Sequence, residues 1–150
     1  MANQYTELKG KHEKEFNEFT KDCVFFAFSD KQFEDGMKKL GLTLEDTDKI
    51  YKLGAGGYIL RTHSVARKEL FERFDAEEKQ AIAEDADGTG YVRQMFEYEL
   101  NNHEYGYTRE VDQTLDALGY TIEEINADEK LLHGFQIARQ AIIDWDNANN

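Results

Sequence analysis

An apolar stripe near the C-terminus constrains this chain more than any other feature. Its members are Leu131, Phe135, Ala138, Ile142 and Trp145. Their steps of four, three, four and three residues place them on one side of an α-helix, which turns once in about 3.6 residues. Asn126 and Glu129 resemble a capping box and predict the start of this helix. One side is so apolar that the rest of the chain must cover it.

Similar spacing elsewhere predicts about six helices in all. The helices before residue 85 are predicted at residues 4–20, 29–41, 43–53 and 64–83. Ser29 caps the second of these and Gly41 ends it. Thr43 and Asp46 have the spacing of a capping box, so they predict the start of the third. The absence of proline agrees with a chain built mostly of helices.

Two short segments have the character of strands rather than helices. Val24–Phe28 is continuous and aromatic, and Gly57–Arg61 is the best partner for it. We therefore predict one two-stranded β ribbon packed on helices. The expected fold class is mainly α (α+β), as a single compact domain over residues 1–150. The asparagine-rich residues 146–150 are expected to be a frayed tail.

One local pattern occurs twice. Leu40–Asp46 and Leu118–Glu124 both read as a helix end, a glycine, a threonine cap and an acidic first turn. The similarity is short, so reuse of one helix–turn–helix joint is favoured over duplication. Such a joint also occurs in DNA-binding proteins. We exclude that role here because Glu45 and Asp48 would face the phosphates.

The charge of the chain is strongly acidic and unevenly placed. It has 31 acidic and 18 basic side chains, and residues 81–150 hold 15 of the acidic and only 4 of the basic ones. This composition excludes direct nucleic-acid binding, since phosphate contacts need a basic surface. An acidic surface attracts basic protein partners, although the charge could equally serve only solubility.

The sequence also predicts where the protein resides. No apolar run reaches the roughly 18–20 residues of a membrane span, and the N-terminus lacks the apolar region of a signal peptide. Cys23 is the only cysteine, so no disulfide can form within the chain. We expect a cytoplasmic protein that makes no membrane contact.

The strongest conventional motif resembles the start of an EF-hand calcium loop. Asp85, Asp87 and Thr89 stand at its first three ligand positions, and Gly90 stands at its turn. The twelfth position, which should be a bidentate glutamate, is Phe96. A calcium-binding module over residues 85–96 is therefore a weak alternative, and an acidic loop between helices is the simpler interpretation.

Other catalytic and metal-binding patterns are lacking. The four histidines are scattered along the sequence, and none is near Cys23, which argues against zinc and against a Cys–His nucleophile. Paired carboxylates are so frequent that no pair stands out as an acid–base couple. We expect a non-enzymatic protein without a cofactor.

The segment Met95–Gly119 is the best candidate for a binding surface. It predicts the end of one helix, a tyrosine-rich turn and the next helix. Tyrosines among carboxylates suit a protein interface, because the rings give contact area and the acids meet Arg or Lys. The predicted partner-binding residues are Glu97, Glu99, Glu104, Tyr105, Tyr107, Glu110 and Asp112.

Four segments carry a resemblance to a known group. They are Phe25–Phe33, Met37–Gly41, Asn102–Thr108 and Thr114–Gly119. Over roughly residues 5–140 the chain resembles small acidic proteins of phages and mobile elements of gut bacteria, some of them type II-A anti-CRISPR proteins that inhibit Cas9. The resemblance implies an inhibitor that occupies a basic nucleic-acid-binding surface as a mimic or locks a conformation. A regulatory adaptor with another protein partner is the remaining alternative.

Overall fold

The computed structural model describes residues 3–150, and this range is mainly α-helical with one small antiparallel sheet. The helices are α1 (Gln4–Thr20), α2 (Asp30–Lys39), α3 (Ser64–Glu84), α4 (Tyr91–Asn102), α5 (Tyr105–Thr108), α6 (Asp112–Leu118), α7 (Ile122–Asn126) and α8 (Glu129–Asn149). The strands are β1 (Val24–Phe26), β2 (Ile50–Gly54) and β3 (Gly57–Leu60). The mainly α fold class predicted from the sequence is confirmed. The structure has eight α-helices and three strands within the described range, where about six and two were predicted.

Contacts within the chain define two compact units. The first, called here the helical unit, consists of the chain up to Lys9 together with Glu77–Asn150. The second, called here the mixed unit, is Gly10–Ala76 and contains the sheet. The seven predicted partner-binding residues all lie in the helical unit.

The core of the helical unit forms where α4 packs against α8. Val92, Phe96 and Leu100 on α4 are fully buried, and the ring of Phe96 lies 5.0 Å from that of Phe135 on α8. Four of the five residues of the predicted stripe, all except Trp145, therefore form the buried side of α8. Trp145 is 66% exposed and lies outside the core of the helical unit.

Both ends of α8 differ from the sequence prediction. Asp128 caps the helix by accepting a hydrogen bond from the amide of Leu131, so the predicted Asn126 start is wrong. Asn126 instead ends α7. At the other end α8 continues to Asn149, so residues 146–149 of the predicted frayed tail are helical, and Asn150 caps the helix. The Asn149 side chain donates to the carbonyl of Trp145 within that last turn.

The mixed unit is built on a sheet of order β1–β3–β2. β1 pairs antiparallel with β3, with Val24 opposite Ile59 and Phe25 opposite Tyr58, as predicted for the ribbon. The predicted helix over residues 43–53 is wrong, since Ile50–Gly54 forms β2, a strand that the sequence did not predict. The Asp46 carboxylate does accept from the Thr43 amide at 2.8 Å, but it closes a turn that leads into a hairpin.

The repeated glycine–threonine pattern is followed by an α-helix only in its second copy, whereas one 3-10 turn (Thr47–Lys49) and then β2 follow the first. In the second copy, Gly119 ends α6 in a left-handed conformation with φ of 78°. Thr121 and Glu124 then form a complete capping box at the start of α7. The motif therefore encodes a tight turn, and the residues that follow it decide between helix and strand.

Candidate functional site

The tyrosine-rich turn is held by an unusual backbone. Glu104 and Arg109 flank the short α5 and both have positive φ, at 58° and 61°. Non-glycine residues seldom adopt this left-handed conformation, which costs about 1 kcal/mol or more. The two reversals bring α6 back beside α4, where the Thr114 hydroxyl donates to the carbonyl of Glu99 at 3.3 Å.

Glu99, one of the predicted binding residues, lies inside the helical unit. It is 3% exposed, and its carboxylate accepts a 2.7 Å hydrogen bond from the Tyr5 hydroxyl. Lys9 Nζ lies 3.4 Å from the same carboxylate and supplies the compensating charge. Burial, with the Glu99 hydrogen bond, raises the pKa of Tyr5 well above its usual range. Glu99 is therefore removed from the predicted surface, because it joins α1 to α4.

Tyr105 is the second predicted binding residue that the fold buries. It is 1% exposed, and its hydroxyl accepts a 3.0 Å hydrogen bond from Arg139 Nε on α8. The adjacent Gly106 lies against Ile142, which brings the α5 backbone close to α8. Tyr105 thus anchors the turn on α8 and is also removed from the predicted surface.

The remaining five predicted residues are accessible to different extents. Glu97 is half-buried and accepts a 2.7 Å hydrogen bond from Arg93 Nε one turn earlier on α4. Tyr107 is 91% exposed, although it lies only two residues from the buried Tyr105. The last three, Glu104, Glu110 and Asp112, are exposed.

The structure brings those last three carboxylates together around one depression. This depression has a volume of about 410 Å³ and lies where the end of α4 meets the start of α6. Within the described residues, none of the three carboxylates makes a hydrogen bond or ion pair. Tyr107 adjoins Thr108, which also lines the depression. We call Glu104, Tyr107, Glu110 and Asp112 the acidic patch.

Other residues of this depression were not predicted. They are Asn102, His103 and Gln113. The His103 ring nitrogen Nδ1 lies 2.8 Å from the carbonyl of Glu99, so the ring is oriented by the last turn of α4. Asn102 and His103 precede Glu104 in the sequence and Gln113 follows Asp112, and the reversal of the chain at α5 brings these two groups around one depression.

The calcium-like loop uses its carboxylates to hold its own backbone. Both oxygens of the Asp85 carboxylate accept amide hydrogen bonds, from Gly88, Gly90 and Val92, at 2.9, 3.2 and 2.9 Å. Hydrogen bonds from Thr89 lower the pKa of the Asp87 carboxyl. Across residues 3–150, no group of three or more His, Cys, Asp or Glu side chains is placed to hold a metal ion. Calcium binding here stays a prediction from the sequence.

Comparison with known proteins places the chain in a family. A profile described as a family of unknown function, DUF7659, matches residues 4–141. The chain belongs to the DUF7659 family. Searches of curated proteins and of solved structures find no significant match. The DUF7659 match includes the whole acidic patch and α8 up to Ala141.

The hydropathy of the helices bears on whether this DUF7659 protein could insert into a membrane. None of the helices in the described part of the chain has the length and apolar character that crossing a membrane requires.

The charge of this DUF7659 protein is concentrated in one unit. The helical unit holds 18 acidic and 6 basic side chains, whereas the mixed unit holds 13 and 12. Lys9, Arg93 and Arg109 are paired with the carboxylates of Glu99, Glu97 and Asp146, respectively. Lys130 and Arg139 donate to uncharged oxygens. Most basic groups of this unit are therefore engaged within it, and the acidic patch stays uncompensated.

Proposed function

We propose that this protein is a non-enzymatic inhibitor that binds a basic surface of a nucleic-acid-binding protein, with Cas9 as the target. The acidic patch makes the contact. One observation carries the proposal: three exposed carboxylates without internal partners surround one depression, beside a tyrosine that is 91% exposed.

Electrostatics supports a basic partner rather than a neutral one. The helical unit has a net charge of −12, and its potential attracts and orients a positively charged surface. Glu104, Glu110 and Asp112 keep both carboxylate oxygens available for Arg or Lys. Arginine suits such groups especially well because its planar fork pairs with a carboxylate through two hydrogen bonds.

Tyr107 supplies apolar contact area, which the carboxylates of the acidic patch do not. An exposed phenol ring offers apolar contact area together with a polar tip, and tyrosine is enriched in the residues that contribute most to protein interfaces. It lies on α5, which Tyr105 and Arg139 fix against α8. The ring is therefore presented on a rigid base, which lowers the entropy lost on binding.

Cas9 is the specific target because two lines of support coincide. The sequence resembles a group that includes type II-A anti-CRISPR proteins, and Cas9 holds nucleic acid in a positively charged channel. An acidic protein can occupy such a channel in place of phosphates. Binding also fits the patch better than acid–base catalysis does, since its carboxylates are open to water.

A cleavage assay tests the proposal. Cas9 with its guide is incubated with a large excess of the protein, and target DNA cleavage is followed over time. We expect slower cleavage, and we expect the triple variant Glu104→Gln, Glu110→Gln, Asp112→Asn to lose most of the effect. The matched control is Glu45→Gln, Asp48→Asn, Glu69→Gln, which removes the same charge from exposed positions of the mixed unit.

The possible results separate the parts of the proposal. Unimpeded cleavage at large excess contradicts Cas9 as the target. Equal loss of inhibition in both triple variants contradicts the acidic patch and indicates a general charge effect. If Cas9 is unaffected, affinity capture from a bacterial lysate with both triple variants tests a regulatory adaptor with another partner.

A further inference from the structure

α8 leaves one large apolar side chain in solvent, Trp145, which is 66% exposed. It follows Ile142 on the predicted stripe, whose other members are buried in the core of the helical unit. Among residues 3–150, no aromatic ring or cationic group stacks on the indole. Tryptophan is enriched among the residues that contribute most to protein interfaces, so Trp145 is a candidate contact.

Trp145 lies at the same end of the helical unit as the acidic patch. The chain from α4 to Arg109 runs in the same direction as α8, because the contacts between them advance together along both. The adjoining pairs are Val92 with Gly134, Phe96 with Phe135, Gly106 with Ile142 and Arg109 with Asp146. The depression of the acidic patch lies where α4 ends and α6 begins, and α5 connects it to the last turns of α8. Tyr107 of α5 is therefore exposed at this same end.

Charge around Trp145 favours a cationic group. Asp144 and Asp146 are its neighbours in α8, and the Asp144 carboxylate accepts one 2.8 Å hydrogen bond, from the Gln140 side chain. The guanidinium of Arg109 does not oppose a cation there, because it is paired with Asp146 at 2.9 Å. A second copy of the chain is a poor occupant, since two helical units of net charge −12 repel each other.

Arginine fits an exposed indole beside a carboxylate better than lysine does. The guanidinium is planar and weakly hydrated, so it stacks flat on an aromatic ring while the N–H groups at its edge still reach an acid. The lysine ammonium is compact and strongly hydrated, and it cannot stack in this way.

We propose that the surface that binds the basic partner continues from the acidic patch across α5 to Trp145, where it receives an arginine side chain. The guanidinium stacks on the indole face and donates to the Asp144 carboxylate. This inference rests on the proposed binding of a basic surface, and it adds a second contact region and the kind of side chain that occupies it.

A fluorine label gives a direct test, because Trp145 is the only tryptophan of the chain. Protein made with 5-fluorotryptophan has one ¹⁹F resonance, and it is titrated with oligoarginine and with oligolysine of equal length. We expect a saturable shift with oligoarginine and an affinity about two- to fivefold higher than for oligolysine. The shift is read in the protein without substitutions, so it does not depend on whether a variant folds.

Calorimetry with the same peptides measures what Trp145 contributes. Trp145→Ala should bind oligoarginine about tenfold more weakly. The matched control is Ile122→Ala, which truncates another exposed apolar side chain of the helical unit. Ile122 begins α7, which directly precedes α8, so it lies toward the opposite end of α8 from Trp145. Its affinity should be unchanged.

The Cas9 cleavage assay separates this inference from the proposed function. Trp145→Ala should need about tenfold more protein for equal inhibition, and Ile122→Ala should inhibit as the wild type does. If the wild type does not slow Cas9, the proposed target is wrong, and the peptide titration still decides whether Trp145 receives arginine.

Four results overturn the inference. The first is a ¹⁹F resonance that stays unmoved when calorimetry shows oligoarginine to be bound. The second is equal affinity for the two peptides, which would mean diffuse attraction to an acidic surface. The third is an equal loss of affinity in Trp145→Ala and Ile122→Ala. The fourth is a shift that appears with protein concentration alone, which would show that a second copy covers Trp145.

Discussion

The hydroxyl of Tyr5 donates a 2.7 Å hydrogen bond to the Glu99 carboxylate across 94 residues of sequence. Both side chains are buried, and Lys9 completes the group from the next turn of α1. This contact fastens the start of the chain to α4. It also explains why an acidic residue can occupy the core of the helical unit, since its charge is paired and hydrogen-bonded.

Removing the phenol hydroxyl of Tyr5 should destabilise the fold. In Tyr5→Phe the buried Glu99 carboxylate keeps Lys9 but loses its shortest hydrogen bond, at an expected cost of about 1–3 kcal/mol. Urea denaturation gives the free energy of unfolding. Tyr98→Phe is the matched control, because Tyr98 also packs on Tyr5 but is 37% exposed. A change below about 0.5 kcal/mol is expected there, and an equal loss in both variants would contradict the assignment.

Stability should also fall at alkaline pH. Burial raises the pKa of both Tyr5 and Tyr91, whereas tyrosines in the unfolded chain ionise near pH 10. Above about pH 10 the folded state therefore binds more protons than the unfolded state, and the free energy of unfolding decreases as pH rises.

Urea denaturation between pH 8 and pH 11 measures this dependence. Tyr5→Phe should reduce the slope above pH 10 by up to about 1.4 kcal/mol per pH unit. Tyr107→Phe changes a tyrosine that is 91% exposed and should leave the slope as it is. A slope that is the same in wild type and Tyr5→Phe would contradict the prediction.

Truncation of Tyr105 and Tyr107, the two tyrosines of α5, should affect different properties: the first lowers stability and the second lowers partner binding. Tyr105→Ala opens a cavity and leaves Arg139 without its hydroxyl partner, so we expect a loss of about 3–5 kcal/mol. Tyr107→Ala should cost less than about 0.5 kcal/mol and instead weaken partner binding. Thermal denaturation and the cleavage assay distinguish the two roles. A stable Tyr105→Ala variant would show that α5 is not anchored on α8.

Close packing of the loop before α4 makes Gly88 sensitive to substitution. Gly88 has φ of 89°, and an added Cβ would lie 2.3 Å from the carbonyl oxygen of Lys130. Gly88→Ala should therefore destabilise the protein by at least about 2 kcal/mol. Gly10→Ala is the contrasting variant, because that glycine lies within α1 with no atom inside 4 Å of the added Cβ. A gain of about 0.5–1 kcal/mol is expected there.

The parts of the fold that sequence could predict are those fixed by local signals. α1 matches its predicted limits because Tyr5, Leu8, Phe16 and Phe19 recur at helical spacing, and Ser29 caps α2 by accepting from the amide of Gln32. The segment Ile50–Gly54 could not be predicted in this way. Thr43 and Asp46 have the spacing of a capping box but form only half of it, because the Thr43 hydroxyl donates to the Asp46 carboxylate and does not accept from the Asp46 amide. The segment that follows pairs with β3 as a strand.

The candidate site was predictable only in part, for a similar reason. The exposure of Glu104, Glu110 and Asp112 follows from composition, because so many acidic side chains in one segment cannot all be buried. Glu99 was indistinguishable from them, since its partners Tyr5 and Lys9 lie about 90 residues earlier. Tyr105 and Tyr107 belong to a helix of four residues, which is too short to show a stripe.

The left-handed conformation of Glu104 places stability and partner binding in conflict, because the backbone favours glycine there and the acidic patch needs a carboxylate. Glycine at this position would relieve the backbone and raise the free energy of unfolding by up to about 1 kcal/mol. The same change would remove a carboxylate from the acidic patch. Glu104→Gly should therefore melt at a higher temperature and inhibit less. A library screened only for thermal resistance would select this variant, so engineering the protein for durability requires a simultaneous screen for binding.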